Sequence, residues 1–107
     1  MTLVSDVDFS RYSGIVIAFD SVNLTQDWTT NTVYLVAECG GASVDLYSDY
    51  YDYTETHHKT ATSGSATLNF AVSSGSGRCI IGFRGNGYCN GGSFGASGTL
   101  LGRTVVG

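Results

Sequence analysis

The chain has 107 residues, room for one domain and one core but not for a catalytic domain beside a separate binding domain. Hydrophobic residues make up 42%, enough for a packed interior, while charged residues reach only 13%, against roughly 25% in average soluble domains. The net charge is −4 and the basic residues Arg11, Lys59, Arg78, Arg84 and Arg103 are scattered, which excludes a nucleic-acid surface and disfavours an anionic membrane surface, since both need clustered positive charge.

Met1 to Ser13 reads as an N-terminal arm with Leu3, Val4, Val7 and Phe9 as anchors and room for a short strand. It lacks the basic start and apolar run of a signal peptide, and no segment approaches the roughly 20 apolar residues of a membrane span. Gly14 to Asp20 is a strand with Ile15, Ile17 and Phe19 on one face. Val16 and Ala18 make its other face apolar too, the mark of a central or subunit-covered strand. Ser21 to Thr32 follows as a long polar loop that holds the only tryptophan, Trp28, and an Asn23-Leu24-Thr25 sequon, which matters only in a secretory pathway.

Val33 to Glu38 is the next strand, ended by Gly40-Gly41. Ser43 to Tyr47 alternates, with Val44 and Leu46 inward and Asp45 and Tyr47 outward, and leads into a loop, Ser48 to Tyr53, crowded with tyrosine and aspartate. Thr54 to Thr62 has the threonine content of an edge or solvated strand, with Lys59 as a deterrent to edge pairing. Ala66 to Val72 and Cys79 to Phe83 both alternate, and the Ser/Gly break between them predicts a hairpin. Gly85 to Gly98 is glycine-rich enough to read as loop, and Thr99 to Val106 as a closing strand.

No stretch carries the 3.6-residue period of an amphipathic helix, and no repeat or internal boundary divides the chain. Strand centres fall roughly every ten residues, the spacing of sandwiches and barrels. The expectation is all-β: a single antiparallel β-sandwich of jelly-roll type spanning 1–107.

Cysteines number three, Cys39, Cys79 and Cys89, so at least one is unpaired within a monomer. Cys79 and Cys89 flank the Gly85-Asn86-Gly87 turn and can form a disulfide across it in an oxidising compartment. The plainer reading, which the sequence favours, is three small buried thiols.

The half from Lys59 to Val106 resembles the carbohydrate-binding jelly rolls of galactose-binding-like fold, which occur on bacteriophage tail proteins and secreted glycosidases. The likeness rests on a Thr-rich strand, the strand Ala66–Val72, a Ser/Gly turn, the strand Cys79–Phe83, a glycine-rich loop and the closing Gly98-Thr99-Leu100-Leu101-Gly102-Arg103-Thr104-Val105-Val106. It implies a two-sheet sandwich without catalysis, with ligand on its loops or on one concave face. Gly102-Arg103 stands where those modules carry Asp or Asn, which speaks against their structural calcium.

The densest candidate site is Tyr47, Asp49, Tyr50, Tyr51, Asp52, Tyr53, Glu55, His57 and His58. Tyrosine gives a rigid face for stacking on a sugar ring and a hydroxyl for hydrogen bonding, and carboxylates accept from sugar hydroxyls. In this reading Trp28, Tyr50, Tyr51 and Tyr53 stack, while Asp49, Asp52 and His57 orient the hydroxyls. Similar loops serve as protein paratopes, and a Tyr-rich β surface without ligand is the bland alternative.

Metal and catalytic readings fare worse. His57 and His58 face opposite ways on a strand, so only Glu55 and His57 share a side, and no cysteine has CxxC spacing. No GxSxG elbow is present, Asp49 and Asp52 lie in a loop too short to bring its own cleft for glycoside hydrolysis, and Gly85-Asn86-Gly87 is not followed by a helix.

The sequence therefore points to a non-enzymatic recognition module on a virion surface or outside the cell, without cofactor. Its partners would be a glycan or protein receptor, as part of a phage tail or similar appendage and with homo-oligomeric assembly. The alternative is a self-assembling structural or decoration subunit of a virion or filament, with no small ligand.

Overall fold

The longest hydrophobic alternation sets the architecture. In the computed structural model, which describes residues 1–26, 31–51, 57–85 and 89–104, strand β2 runs Tyr12–Gln26 and buries Ile15, Ile17 and Phe19 on one face. At Ser21 the backbone turns to a φ of 51°, and a bulge against the neighbouring strand adds one residue between Asp20 and Asn23. The inward set then resumes on even numbers, as Val22 and Leu24. The polar stretch after Asp20 is thus strand as far as Gln26, not loop: one bulge shifts its parity and hides its periodicity.

The other strands are β1 (Thr2–Asp8), β3 (Asn31–Cys39), β4 (Ala42–Tyr51), β5 (His57–Asn69), β6 (Ser76–Gly85) and β7 (Cys89–Gly102). They form two antiparallel sheets, β1-β6-β3-β4 and β5-β2-β7, packed as a β-sandwich with no helix among the described residues. Three pairings are nested, β1 with β6, β2 with β5 and β3 with β4, and β7 pairs with the other side of β2.

Both sheets feed one core. Val7, Leu35, Cys79 and Ile81 come from the first, and Ile15, Ile17, Val22 and Leu68 from the second, each at most 4% exposed. Burying each large aliphatic side chain contributes about 1.5–3 kcal/mol, which makes this interior the main driving force for the fold.

The short strand and the Val7 anchor expected of the N-terminal arm are present: β1 pairs with β6 at a sheet edge, and Val7 is fully buried. Other expectations are corrected. Ala66–Asn69 and Cys79–Phe83 keep their alternation, but they sit in different sheets and form no hairpin. The chain from Phe70 to Gly75 crosses the sandwich instead, held by Phe70 N–H donating to Ser13 O, Ala71 N–H to Gly40 O and Phe9 N–H to Gly75 O.

The glycine-rich stretch expected as loop is strand β7 from Cys89 onward. Two of its glycines lie where large side chains arrive. A Cβ on Gly92 would meet the Phe83 ring at 2.5 Å, and one on Gly98 would meet Ile15 Cδ1 at 2.6 Å. The missing side chains make room for neighbours rather than for a turn. The closing strand ends at Gly102, and Val105 and Val106 lie outside the described residues.

The disulfide is also not the expected one. Cys39 is bonded to Cys79, with Cα atoms 4.4 Å apart, one step beyond the Glu38–Ile80 pair of the β3–β6 ladder. The Cys79–Cys89 bridge and the reading of three buried thiols are both overturned. Cys79 lies near the start of β6 and Cys89 follows its far end, so the nearest cysteine in sequence is not the nearest in space. Next to the bridge, Gly40 and Gly41 at φ 60° and 76° make the two-residue turn that lets Cys39 pair with Ala42, a conformation glycine adopts without a Cβ penalty.

Candidate functional site

The strand register gathers six strand ends at one end of the sandwich. Gln26 faces both His57 and Cys89, Asn31 faces Tyr51, and Val33 faces Gly85. The chain segments joining these ends are 27–30, 52–56 and 86–88. Of the sequence-derived candidates, Trp28, Asp52, Tyr53 and Glu55 lie outside the described residues. Tyr51 closes β4 and His57 opens β5, and of their side chains nothing is described, as for His58.

The remaining three, Tyr47, Asp49 and Tyr50, are split between the two faces of β4. Leu35 pairs with Tyr47 but Val36 with Asp45, so Leu46 is an extra residue, a bulge. Val44 and Leu46 pack against the core as expected, but past the bulge the odd positions turn inward too. Tyr47 therefore packs against the core instead of pointing out, and Asp49 is only 6% exposed. The expected loop from Ser48 is strand as far as Tyr51.

Tyr47 Oη is buried and makes no hydrogen bond among the described residues. Burial, and then the nearby Asp49 charge, push its pKa above the ordinary value of 10.0, because both penalise the phenolate. Neither Tyr47 nor Asp49 presents a stacking face or an open carboxylate to solvent. Tyr50 does stand outward, 61% exposed.

The same outward face carries residues that the sequence reading passed over. Tyr34 on β3 pairs with Ser48 on one side and Arg84 on the other, and Tyr50 pairs with Thr32. Arg84 is ion-paired with Glu38, which holds the Glu38 carboxyl below its ordinary value and raises Arg84, chiefly through the hydrogen bond between them. The alternation of Val33, Leu35 and Ala37 signals that Tyr34 and Glu38 point outward. Their cross-strand partners are invisible without the register.

Among the described residues, no three His, Cys, Asp or Glu side chains group as metal ligands would. What the fold defines is a class, the two-sheet antiparallel β-sandwich. Comparison with protein-family models, curated proteins and solved structures gives no match to this chain.

Proposed function

We propose that this chain is a non-enzymatic recognition module that binds cell-surface glycan, on a virion surface or outside the cell, as part of a phage tail or comparable appendage. The observation that carries the reading is the convergence of strand ends. Gln26, Asn31, Tyr51, His57, Gly85 and Cys89 lie together, and the segments between them hold Trp28, Asp52, Tyr53 and Tyr88 in sequence. Scaffold-borne loops are where binding residues concentrate, because a rigid sandwich can position them without ordering them by itself. The Cys39–Cys79 bridge adds support for life in an oxidising environment, where such bonds persist. The nested pairs β1–β6, β2–β5 and β3–β4 support a jelly-roll type. A glycan array probed with folded protein tests the reading: specific binding is expected, and a blank array overturns it.

The second reading is a structural subunit, and one face favours it. Outside β5-β2-β7, Val16 and Ala18 are flanked by Ser65, Thr67, Ser97 and Thr99, a surface of small uncharged side chains on a body 59 × 23 × 19 Å in extent. Light scattering separates the two readings. A monomer counts against assembly, and a large assembly against an isolated lectin.

A further inference from the structure

Among the described residues, four large hydrophobic side chains are exposed: Met1, Tyr34, Tyr50 and Val72. Two of these, Tyr34 and Tyr50, share the outer face of β3 and β4. Because Tyr34 lies opposite Ser48 and Tyr50 opposite Thr32, the tyrosines are diagonal cross-strand neighbours, a relation that sets such residues about 7–8 Å apart with their Cβ atoms somewhat closer. Each ring has a hydroxyl side chain directly across the ladder, Ser48 for Tyr34 and Thr32 for Tyr50.

The basic charge beside them is already paired, and the nearest acid on the same face is the exposed Asp45, opposite Val36. Arg84, opposite Tyr34, is bound to Glu38, four pairs further along β3. Between them lies the Val36–Gly82 pair, with open space where a Gly82 Cβ would stand. The other arginine described on β6, Arg78, is six residues along the strand from Arg84. A ligand laid on the tyrosines meets flat apolar faces, hydroxyls, a neutralised ion pair and the Asp45 carboxylate, which accepts from sugar hydroxyls and, with the net charge of −4, repels acidic polymers.

From this juxtaposition we infer that the outer face of β6-β3-β4 is itself a glycan-binding surface, with Tyr34 and Tyr50 as paired stacking platforms for a neutral polysaccharide chain. The inference rests on the glycan-recognition reading above and moves its centre from the connecting segments to the sheet. A sheet face holds its aromatics at fixed spacing, so little rotamer entropy is lost when a chain docks.

Affinity electrophoresis in gels holding galactomannan, mixed-linkage β-glucan or dextran, with alginate as the acidic polymer, tests it. The expected result is retardation of the wild type by at least one neutral polysaccharide and not by alginate. Tyr34→Ala/Tyr50→Ala should then lose affinity on the order of tenfold or more, as two lost ring contacts imply. Tyr34→Phe/Tyr50→Phe, which keeps both rings, should retain most of it. Circular dichroism checks that each variant is folded, and the single Ala replacements give the same comparison if the double one is not. If wild type and folded Ala variants bind a neutral polysaccharide equally, the sheet platform falls and the glycan reading stands. Retardation by alginate alone overturns the neutral-chain assignment. A wild type retarded by none of the four polymers overturns this inference and counts against the reading beneath it.

Discussion

Two regions of the sandwich are built differently. At the turn end, tertiary links accumulate. The Cys39–Cys79 bridge closes beside the Gly40-Gly41 turn, Phe70 packs on Gly40, and Phe9 and Phe70 meet edge to face at 5.0 Å. Arg103 then ties the last described residues to the first turn and to the crossing segment, donating from Nε to Phe9 O at 2.8 Å and from Nη2 to Val72 O at 3.0 Å. Away from that end, midway along β4, the Tyr47 hydroxyl is buried with no hydrogen-bond partner among the described residues. Among the described residues the two differ in kind: covalent and hydrogen-bonded links between distant segments on one side, and one buried hydroxyl without a described partner on the other.

The largest effect should come from opening the bridge. The disulfide spans 40 residues of sequence, for which chain entropy alone gives stabilisation of about 4 kcal/mol. Cys39→Ala/Cys79→Ala, or reduction under mild denaturant, should lower the urea midpoint correspondingly. An unchanged midpoint would show that the turn end does not depend on it. Next comes Arg103→Ala, which removes two charge-assisted hydrogen bonds and leaves two carbonyls to water. A loss of about 2 kcal/mol by denaturant titration is expected, with Arg103→Lys recovering only part, because a lysine cannot fork to both carbonyls in the same plane.

At Tyr47 the sign should reverse. Tyr47→Phe removes a buried hydroxyl that has no partner among the described residues, so the variant should be as stable as wild type or more so, by about 1 kcal/mol. A clear destabilisation would mean that the hydroxyl is satisfied after all.

The smallest effects are in pH. The folded-state pKa of Tyr47 is raised, so the folded protein keeps a proton that the unfolded chain releases near pH 10. Stability present below that pH should fall as pH rises above it, and Tyr47→Phe should flatten the alkaline limb of a melting-temperature profile. Asp8, held low by hydrogen bonds from the Ser10 hydroxyl and backbone N–H, and Glu38, held low by Arg84, act in the acid range. Each adds stability above its ordinary carboxylate pKa that is lost as pH falls through the depressed folded value. Asp8 is exposed and the Glu38–Arg84 pair lies at the surface, so the acid limb should be shallow and should weaken further in salt.

How far the sequence could be read depended on whether a signal was local. Ile15, Ile17 and Phe19, Leu68 and Phe70, and Cys79 and Ile81 announce their inward faces through a period of two, and all of them line the core. The reading failed where a bulge reset that period. One bulge lies after Asp20, where strand was taken for loop, and one at Leu46, where Tyr47 turned from surface to core and Asp49 was buried. It failed again at Gly92 and Gly98, since a glycine that admits a neighbour's ring looks in sequence like a glycine that makes a turn.

By itself, then, the sequence determined the class of fold: alternation without helical period, in a chain of this length, leaves two packed sheets as the way to hide one apolar face. Only the tertiary structure decided which strands are neighbours. Hydrogen-bonded ladders join residues distant in sequence, and nothing local distinguishes a partner across the sandwich from a partner along it. Register alone brings Cys39 to Cys79 and sets Tyr34 beside Tyr50.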